Sequence, residues 1–325
     1  MSLRQIDRIT VLLALCAPCL LPGPADAQQY PVRPIRLVVG FAAGGATDIS
    51  ARALGQKISE TIGQQVLVDN RPGASSMLAA EIVARAASDG YTLLFANATI
   101  AMPSLFARLP FDPRKDLAPV SLAGYGPLAL TAHPSLPAKR VKELIALAKR
   151  GPGELNYASA GAGSFTHLAM ALFVIMTDTN IVHVPYKGGA PSVIATMSGE
   201  SQITFASVGA SIPPIKQGKL IALAVSGLKR NVALPDVPTV SEAGVAGYEA
   251  SSWYGLLAQA STPQSIVTKL GENAAKALSD TQLKERLLSQ GIEPALGGVE
   301  EFGGYFAVEV TKWAKVIKDA AIPAQ

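Results

Sequence analysis

The sequence predicts an α/β protein of two lobes, with two mostly parallel five-stranded sheets, flanking helices and two crossover strands between the lobes. Apolar segments of strand length alternate with helical segments along most of the chain, which is typical of βαβ units. These strand-like segments number about ten, and two sheets accommodate them more readily than one. A glycine-rich turn follows a predicted strand in each lobe, the position at which open α/β sheets bind ligands.

Residues 1–27 are predicted to be a cleaved signal peptide. Arg4 and Arg8 precede a short apolar core at residues 11–17, and Ala25-Asp26-Ala27 fits a small-x-small cleavage site before Gln28. The apolar core is much shorter than the roughly 20 residues that span a bilayer, so a membrane anchor is disfavoured. We therefore expect the mature protein in the periplasm.

Composition excludes several classes of function. Both cysteines, Cys16 and Cys19, lie in the predicted signal peptide, so we expect neither disulfides nor thiolate metal sites in the mature chain. The net charge is +4, with no basic run and no basic stripe interleaved with aromatic residues, which argues against nucleic-acid binding. The sequence has no close cluster of His, Asp and Glu, so we predict no metal and no cofactor.

The first predicted lobe begins with strands at residues 35–39, 66–69 and 91–96 and helices at residues 47–62 and 76–87. The second has strands at residues 128–132, 155–158, 181–184, 202–205 and 220–225 and helices at residues 138–150, 164–176, 190–198 and 211–217. A strand at residues 253–259 returns to the first lobe, and only helices are predicted after it, at residues 263–279, 281–290 and 299–319.

The chain is predicted to cross between the lobes near residues 123–126 and again near residues 247–252, after a proline-rich loop. Lobe 1 then comprises residues 28–126 and 251–325, and lobe 2 comprises residues 127–250. Two lobes joined by two strands enclose a cleft, and we expect the ligand to bind there.

Loop one is the glycine-rich turn at residues 40–48, between the first strand and the first helix. Its backbone N–H groups lie at the positive end of a helix dipole, which favours an anion. Thr47 and Asp48 also suit a helix cap, and Asp48 suits a bond from ordered water or from a ligand amino group. The candidate ligand contacts in this loop are Phe41, Ala43, Gly44, Gly45, Thr47 and Asp48.

Loop two is a second such turn, at residues 155–167, and we expect the two loops to close on one small anionic ligand. Thr166 stands where a dinucleotide fingerprint needs its third glycine, so a nucleotide is disfavoured. The candidate contacts in this loop are Ser159, Ala160, Gly161, Gly163, Ser164 and His167. Asn97, Thr99 and Ser207 follow predicted strands and are candidates for selecting the ligand.

A series of short motifs follows in order along nearly the whole mature chain. They are Tyr30-Pro31-Val32-Arg33-Pro34, Gly44-Gly45 with Asp48 and Arg52, Asn70-Arg71-Pro72-Gly73-Ala74, Asp89-Gly90-Tyr91-Thr92, Asn156-Tyr157-Ala158-Ser159, His183-Val184-Pro185-Tyr186-Lys187-Gly188 and Leu234-Pro235-Asp236-Val237-Pro238-Thr239. Together these motifs resemble the Bug-type extracytoplasmic receptors of the tripartite tricarboxylate transporters.

The resemblance implies a monomeric, non-enzymatic periplasmic binding protein with a Venus-flytrap fold. It implies a small carboxylate ligand (a dicarboxylate, an acidic amino acid or an aromatic carboxylate) and delivery to membrane transporter subunits. In that family two glycine-rich loops hold one carboxylate, which maps to residues 41–48 and 159–164 here. The chain departs from the family at Gly40, where proline is usual, at Ala171, where glutamate is common, and at residues 199–202. We expect Gly40 to loosen the entry to loop one.

Two other functions stay open in the sequence. The same fold in a sensor would present the bound carboxylate to a membrane signalling partner. Ser164 and His167 lie three residues apart, a spacing compatible with the nucleophile and base of a secreted hydrolase, but no nucleophile-elbow motif surrounds any serine. We expect His133 and His183 to be structural and Trp253 and Trp313 to lie in the core.

Overall fold

The computed structural model describes residues 30–41, 43–44 and 46–324 of the chain, so the predicted signal peptide lies outside the described residues. Within that part, ten β-strands and ten α-helices alternate along the chain, which confirms the α/β class. In order they are β1 (Ile35–Val39), α1 (Ala46–Ile62), β2 (Val66–Asn70), α2 (Met77–Ala84), β3 (Thr92–Asn97), α3 (Pro113–Asp116), β4 (Leu117–Ala132), α4 (Val141–Arg150), β5 (Asn156–Ser159), α5 (Phe165–Thr177), β6 (Val182–Pro185), α6 (Gly189–Met197), β7 (Ile203–Ser207), α7 (Val208–Lys216), β8 (Ile221–Val225), β9 (Ser251–Gln259), α8 (Gln264–Leu278), α9 (Thr281–Ser289), β10 (Glu293–Gly297) and α10 (Val299–Asp319).

The strands form two sheets that share β4. The first sheet has the order β2-β1-β3-β9-β4 with β10 also beside β4, and the second has the order β4-β7-β5-β6 with β8 also beside β4. Strand β1 pairs in parallel with β2 and β3, and β5 pairs in parallel with β6 and β7. The ladders of β4 and β9 are antiparallel, because β4 leaves the first sheet while β9 returns to it. The expectation of mostly parallel sheets is therefore wrong, since four of the described ladders are parallel and five are antiparallel.

Strand β4 is much longer than the predicted strand at residues 128–132, and it carries the chain from one sheet to the other. Its pairing with β9 ends at Pro127, opposite Ser251, and its pairing with β7 begins at Leu128. The buried Ser226 links the two crossover segments by hydrogen bonds. Its hydroxyl accepts from the Leu128 N–H (2.8 Å) and donates to the Ala250 carbonyl (2.6 Å). The two crossover segments therefore lie side by side.

The prediction that only helices follow residue 259 is wrong at one place, the strand β10. This short segment contains Pro294 and ends at Gly297, and it pairs antiparallel with β4. Proline and glycine weaken a strand pattern, and proline is confined to edge strands and bulges. Long-range pairing with β4 therefore decides the conformation of β10.

Helix α10 covers the back of the two crossover strands. Phe302 and Phe306 lie one turn apart on one face of α10 and pack edge-on against Trp253, with ring centroids 5.2 and 5.7 Å away. Trp253 and Trp313 are fully buried, which confirms that both lie in the core. Among the described helices, none is both long and apolar enough to cross a membrane.

Candidate functional site

A cleft of about 630 Å³ opens between the two sheets. The first turns of four helices line it, through Ala46 of α1, Thr166 of α5, Ala190 of α6 and Ala210 of α7. The first N–H groups of a helix lack partners within the helix, and they carry the positive end of its dipole. None of the described residues that line the cleft bears a charged side chain. The cleft is therefore suited to an anion held by backbone N–H groups and neutral side chains.

Loop one is held in place by the buried carboxylate of Asp48. One of its oxygens accepts from the Gly44 N–H (2.9 Å), the other accepts from the Asn70 side chain (2.9 Å), and Arg52 donates to both. Asn70 also donates to the Phe41 carbonyl (2.9 Å). Burial opposes ionisation of the Asp48 carboxyl, but these hydrogen bonds, led by that from Arg52, outweigh burial and hold its pKa below the ordinary value. Asp48 thus shapes the loop from within.

The remaining predicted contacts of loop one lie in different surroundings. Gly44 lines the cleft and Ala43 is exposed, whereas the half-buried Phe41 packs against the core under α1. Gly45 lies outside the described residues. A side chain at Gly40 would meet Ser76, because its Cβ would lie 2.0 Å from Ser76 Oγ. Ser76 therefore fills the space beside Gly40, which counters the expected loosening of this entry.

Asn97 and two threonines form a small network at the floor of the cleft. Asn97 lines the cleft, and its carbonyl oxygen accepts from the hydroxyl (2.7 Å) and the N–H (3.2 Å) of the buried Thr99. Its amide nitrogen lies 3.4 Å from the hydroxyl oxygen of Thr47, which is also buried. Thr47 and Thr99 thus orient Asn97 from below, and Asn97 is the member of the three that faces the cleft.

Loop two is a compact turn built on hydroxyl groups. Ser164 caps α5, since its hydroxyl accepts from the His167 N–H (3.3 Å) and donates to the Gly161 carbonyl (2.7 Å). Thr166, which was not among the predicted ligand contacts, accepts from the Ala160 N–H (2.9 Å) and lines the cleft. A Ser or Thr in a first helical turn is the signal that could have identified Thr166.

Two histidines support loop two from behind. His167 Nδ1 accepts from the Gly163 N–H (3.1 Å), and the His167 ring stacks on the ring of His183 with centroids 3.8 Å apart. His183 Nε2 lies 2.6 Å from the hydroxyl of Ser159, which is fully buried. Burial, aided by repulsion from His183, lowers the pKa of His167 to about 4, and burial lowers the pKa of His183 as well. Both rings are therefore neutral at pH 7.

These contacts give no support to a hydrolase. The Ser164 hydroxyl and the His167 ring each bond to backbone groups of loop two, and no hydrogen bond joins the two side chains in the described structure. Ser159 and His183 do form a close pair, but Ser159 has no exposed surface at which a substrate would arrive. Within the described residues, no group of three or more His, Cys, Asp or Glu side chains is placed to hold a metal ion.

The far wall of the cleft comes from the turn between α9 and β10, which the sequence analysis did not identify. Gln290 of this turn lines the cleft, and its side-chain amide makes no hydrogen bond within the described part of the chain. Gly291 packs against the start of α7, where a Cβ would lie 2.8 Å from the Gly209 nitrogen. Ser207, which caps α7 by accepting from the Ala210 N–H (3.4 Å), also lines the cleft. The α9–β10 turn thus contacts the start of α7 across the cleft.

Residues 50–322 match the family model described as "Tripartite tricarboxylate transporter family receptor". Among curated relatives, protein BugT of Bordetella pertussis is 34% identical over 302 residues, which cover 92% of this chain and 93% of BugT.

Solved structures show the same similarity. The structure of Rpa4515 of R. palustris with adipate has a TM-score of 0.80 at 36% identity, covering 90% of this chain and 99% of that one. MatC of Rhodopseudomonas palustris with bound malate has a TM-score of 0.74 at 31% identity, covering 89% and 100%. The periplasmic binding protein BugD has a TM-score of 0.77 at 33% identity, covering 91% and 100%. The predicted two-lobed fold class is thereby confirmed.

Proposed function

Because the chain belongs to the tripartite tricarboxylate transporter receptor family, we propose that it captures a small carboxylate in its cleft and delivers it to membrane transporter subunits. The family is one of extracytoplasmic substrate-binding receptors, which supports the proposal that the protein binds a solute without transforming it. With the predicted signal peptide at residues 1–27, we place this capture in the periplasm.

The single observation that carries the proposal is the convergence of four helix N-termini on a cleft lined without charged side chains. A buried carboxylate needs compensation, and backbone N–H groups with four dipole ends supply it without a cation. A cation or a neutral apolar solute would gain little from the same groups. The adipate and malate found in Rpa4515 and MatC favour a dicarboxylate as the class to test first.

We propose that loops one and two form the two sides of the carboxylate clamp, one from each lobe. In this proposal the lobes are residues 28–126 with 251–325 and residues 127–250, joined where β4 and β9 run side by side. On this proposal the inner contacts are Gly44, Asn97 and Thr166, while Asp48 and His167 hold the loops in shape. Closure is favoured because the ligand contacts both lobes only when they approach.

Selection among carboxylates is assigned to the far wall of the cleft. The side-chain amide of Gln290 has no hydrogen-bond partner among the described residues. The buried Tyr254 and Ser252, both in strand β9, also line the cleft. A side-chain amide donates to a second carboxylate and also accepts from a hydroxyl. This wall therefore distinguishes ligands by the functional group at the end of the ligand opposite the clamped carboxylate.

Thermal denaturation with a panel of adipate, malate, aromatic carboxylates and the neutral adipamide tests the proposal. The stabilisation by the best ligand is expected to reach about 2.7 kcal/mol at 100 times its dissociation constant, and adipamide is expected to give no shift.

The variant Ala210→Asp places a negative charge at the first turn of α7, inside the cleft. It is expected to abolish carboxylate binding while the helix dipole preserves stability. Ser265→Asp, at the exposed first turn of α8 and outside the cleft, is the matched control and is expected to bind normally. A panel without any shift, or normal binding by Ala210→Asp, would overturn the proposal.

A further inference from the structure

A second cavity, of about 330 Å³, lies behind the two crossover strands. Successive residues of a strand point to opposite faces, so Gly126 and Ser252 face the carboxylate cleft while Tyr125 and Ser251 face this cavity. We call it the hinge cavity. Its other walls come from residues 227–229 after β8, from Glu249, from Glu293 of β10 and from Tyr305 of α10. No motif of the sequence analysis pointed to it.

The polar groups of the hinge cavity include three hydroxyls without partners. Ser251 is only 6% exposed and lines the cavity, yet its hydroxyl makes no hydrogen bond within the described residues. The hydroxyls of Tyr125 and Tyr305 likewise bond to no described residue, and their rings meet edge to face with centroids 5.5 Å apart. These three hydroxyl oxygens keep accessible surface, so they are free to form hydrogen bonds with a polar occupant of the cavity.

The charged groups around the cavity are mainly carboxylates. Glu249 is paired with Lys312 behind the cavity and accepts from the Ser251 N–H (2.7 Å). Glu293 accepts from the amide of Asn231 (2.9 Å) but forms no ion pair in the described structure. Burial raises the pKa of Glu293 and outweighs the hydrogen bonds from Asn231 and the Val232 N–H and the charge of Lys229, which all lower it. Lys229, at the exposed rim, is the basic residue among the described lining residues.

We propose that the hinge cavity binds a small primary ammonium ion that carries an apolar or aromatic body. The ammonium group would donate to the Glu293 carboxylate and to the Ser251 hydroxyl, both of which line the cavity. A carboxylate is the partner that a partly buried cation requires, and of the two lining carboxylates Glu293 is the one that forms no ion pair within the described residues.

The aromatic walls account for the apolar body. The rings of Tyr125 and Tyr305 offer surfaces on which an aromatic group packs, and a cation near such rings gains further stabilisation. Leu228 stands at the mouth with 77% of its surface exposed, the most exposed of the large apolar side chains in the described residues. A volume of about 330 Å³ is at the small end of ligand pockets, which fits a single-ring amine. The inference does not depend on the carboxylate cleft.

Isothermal titration calorimetry with phenethylammonium chloride tests the proposal, with the neutral 2-phenylethanol as the matched ligand. Phenethylammonium is expected to bind in the millimolar range or tighter, and the alcohol at least tenfold more weakly, a difference of about 1.4 kcal/mol or more. Equal binding of the two ligands, or no heat from phenethylammonium at millimolar concentrations, would overturn the proposal.

Two variants locate the site. Glu293→Gln keeps an acceptor for Asn231 and removes the charge, so it is expected to weaken phenethylammonium binding about tenfold. Glu285→Gln, at an exposed position of α9 outside the cavity, is the control and is expected to bind as the wild type does. Leu228→Lys puts a resident ammonium at the exposed mouth, where folding is not at risk, and is also expected to weaken binding about tenfold. Unchanged binding in Glu293→Gln or Leu228→Lys contradicts the assignment.

Discussion

The imidazole rings of His167 and His183 are stacked with their centroids 3.8 Å apart and their planes 9° from parallel. The His167 ring accepts from the Gly163 N–H, and the His183 ring is hydrogen-bonded to the Ser159 hydroxyl. The stack therefore connects two separate parts of loop two. Two imidazolium ions at this separation would repel each other, and protonated Nδ1 of His167 would no longer accept from Gly163. The shape of loop two therefore depends on neutral rings.

The stack predicts a loss of stability in mild acid. The pKa of His167 is lowered to about 4 in the folded protein, so the unfolded chain binds more protons between its ordinary pKa of 6.5 and 4. Stability is then complete above pH 6.5 and falls as the pH drops towards 4, by on the order of 3 kcal/mol from this residue. Urea denaturation at half-unit steps from pH 7 to pH 4 measures the fall.

His167→Asn isolates the contribution of the ring. Asparagine retains an acceptor oxygen for the Gly163 N–H but has no proton to gain, so the fall between pH 6.5 and 4 is expected to be shallower than in the wild type. His133→Asn, which changes a histidine outside the stack, is the control for the loss of an imidazole ring. The same slope in His167→Asn and wild type would refute this assignment.

A second prediction concerns the network inside loop one. Asp48→Asn replaces one carboxylate oxygen with an NH₂ group that faces donors, so the protein is expected to lose about 2 kcal/mol of stability. The Gly44 N–H loses its anchor, and affinity for the carboxylate is expected to fall with it. Asp236→Asn, at an exposed site, is expected to change stability by less than about 0.5 kcal/mol in the same urea titration.

The local pattern of the sequence predicted most strands and helices within a few residues, because their apolar residues repeat with the period of each element. Helix α10 was placed at its observed bounds, for example. The local pattern missed the first eleven of the sixteen residues of β4, where Pro119, Gly124 and Pro127 interrupt the apolar run. There the strand is defined by pairing with β9, a segment more than a hundred residues away, and no local pattern carries that information.

Part of the candidate site was likewise predictable from local sequence, and part was not. The two glycine-rich loops were visible in the sequence, because glycines and hydroxyl residues after a strand have a local signature. His183 was read as a structural residue, and its contact with His167 depends on β6 lying beside β5, with His183 opposite Tyr157. Gln290 and Gly291 reach the cleft from the other sheet. Such contacts follow from the arrangement of distant segments rather than from spacing along the chain.

Gly40 and Ser76 supply a third prediction. Gly40→Ala would place its Cβ 2.0 Å from Ser76 Oγ and 2.6 Å from Ser76 Cα, so a loss of about 1–3 kcal/mol is expected. Ser76 has a positive φ of 79° and a buried hydroxyl without a partner in the described structure, so Ser76→Gly is expected to be neutral or stabilising by up to about 1 kcal/mol.

A double-mutant cycle in urea checks the coupling of these two residues. Gly40→Ala is expected to cost less in the Ser76→Gly background, because the clash with the side chain is removed and only that with Ser76 Cα is left. Strictly additive effects of the two substitutions would show that the contact does not set the entry to loop one.

The contact between Gly291 and Gly209 gives the last prediction, on closure of the cleft. Gly291 has a positive φ of 74°, and its Cβ would lie 2.8 Å from the Gly209 nitrogen and 3.0 Å from Val208 Cβ. The methyl group of Gly291→Ala would clash with the backbone of Gly209, which cannot move aside as a flexible side chain can. The substitution is therefore expected to hold the α9–β10 turn away from α7. Gly218→Ala is the matched control, since its φ is 69° and nothing lies within 4 Å of its Cβ.

Both substitutions force alanine into a left-handed conformation, so each is expected to lose about 1 kcal/mol of stability. Only Gly291→Ala obstructs the approach of the α9–β10 turn to α7, so only it is expected to weaken binding of the best carboxylate, by tenfold or more. Small-angle scattering is expected to show a smaller ligand-induced decrease in radius of gyration for Gly291→Ala than for Gly218→Ala. If both variants bind alike, closure does not pass through this glycine contact, and the far wall serves only as a fixed boundary of the cleft.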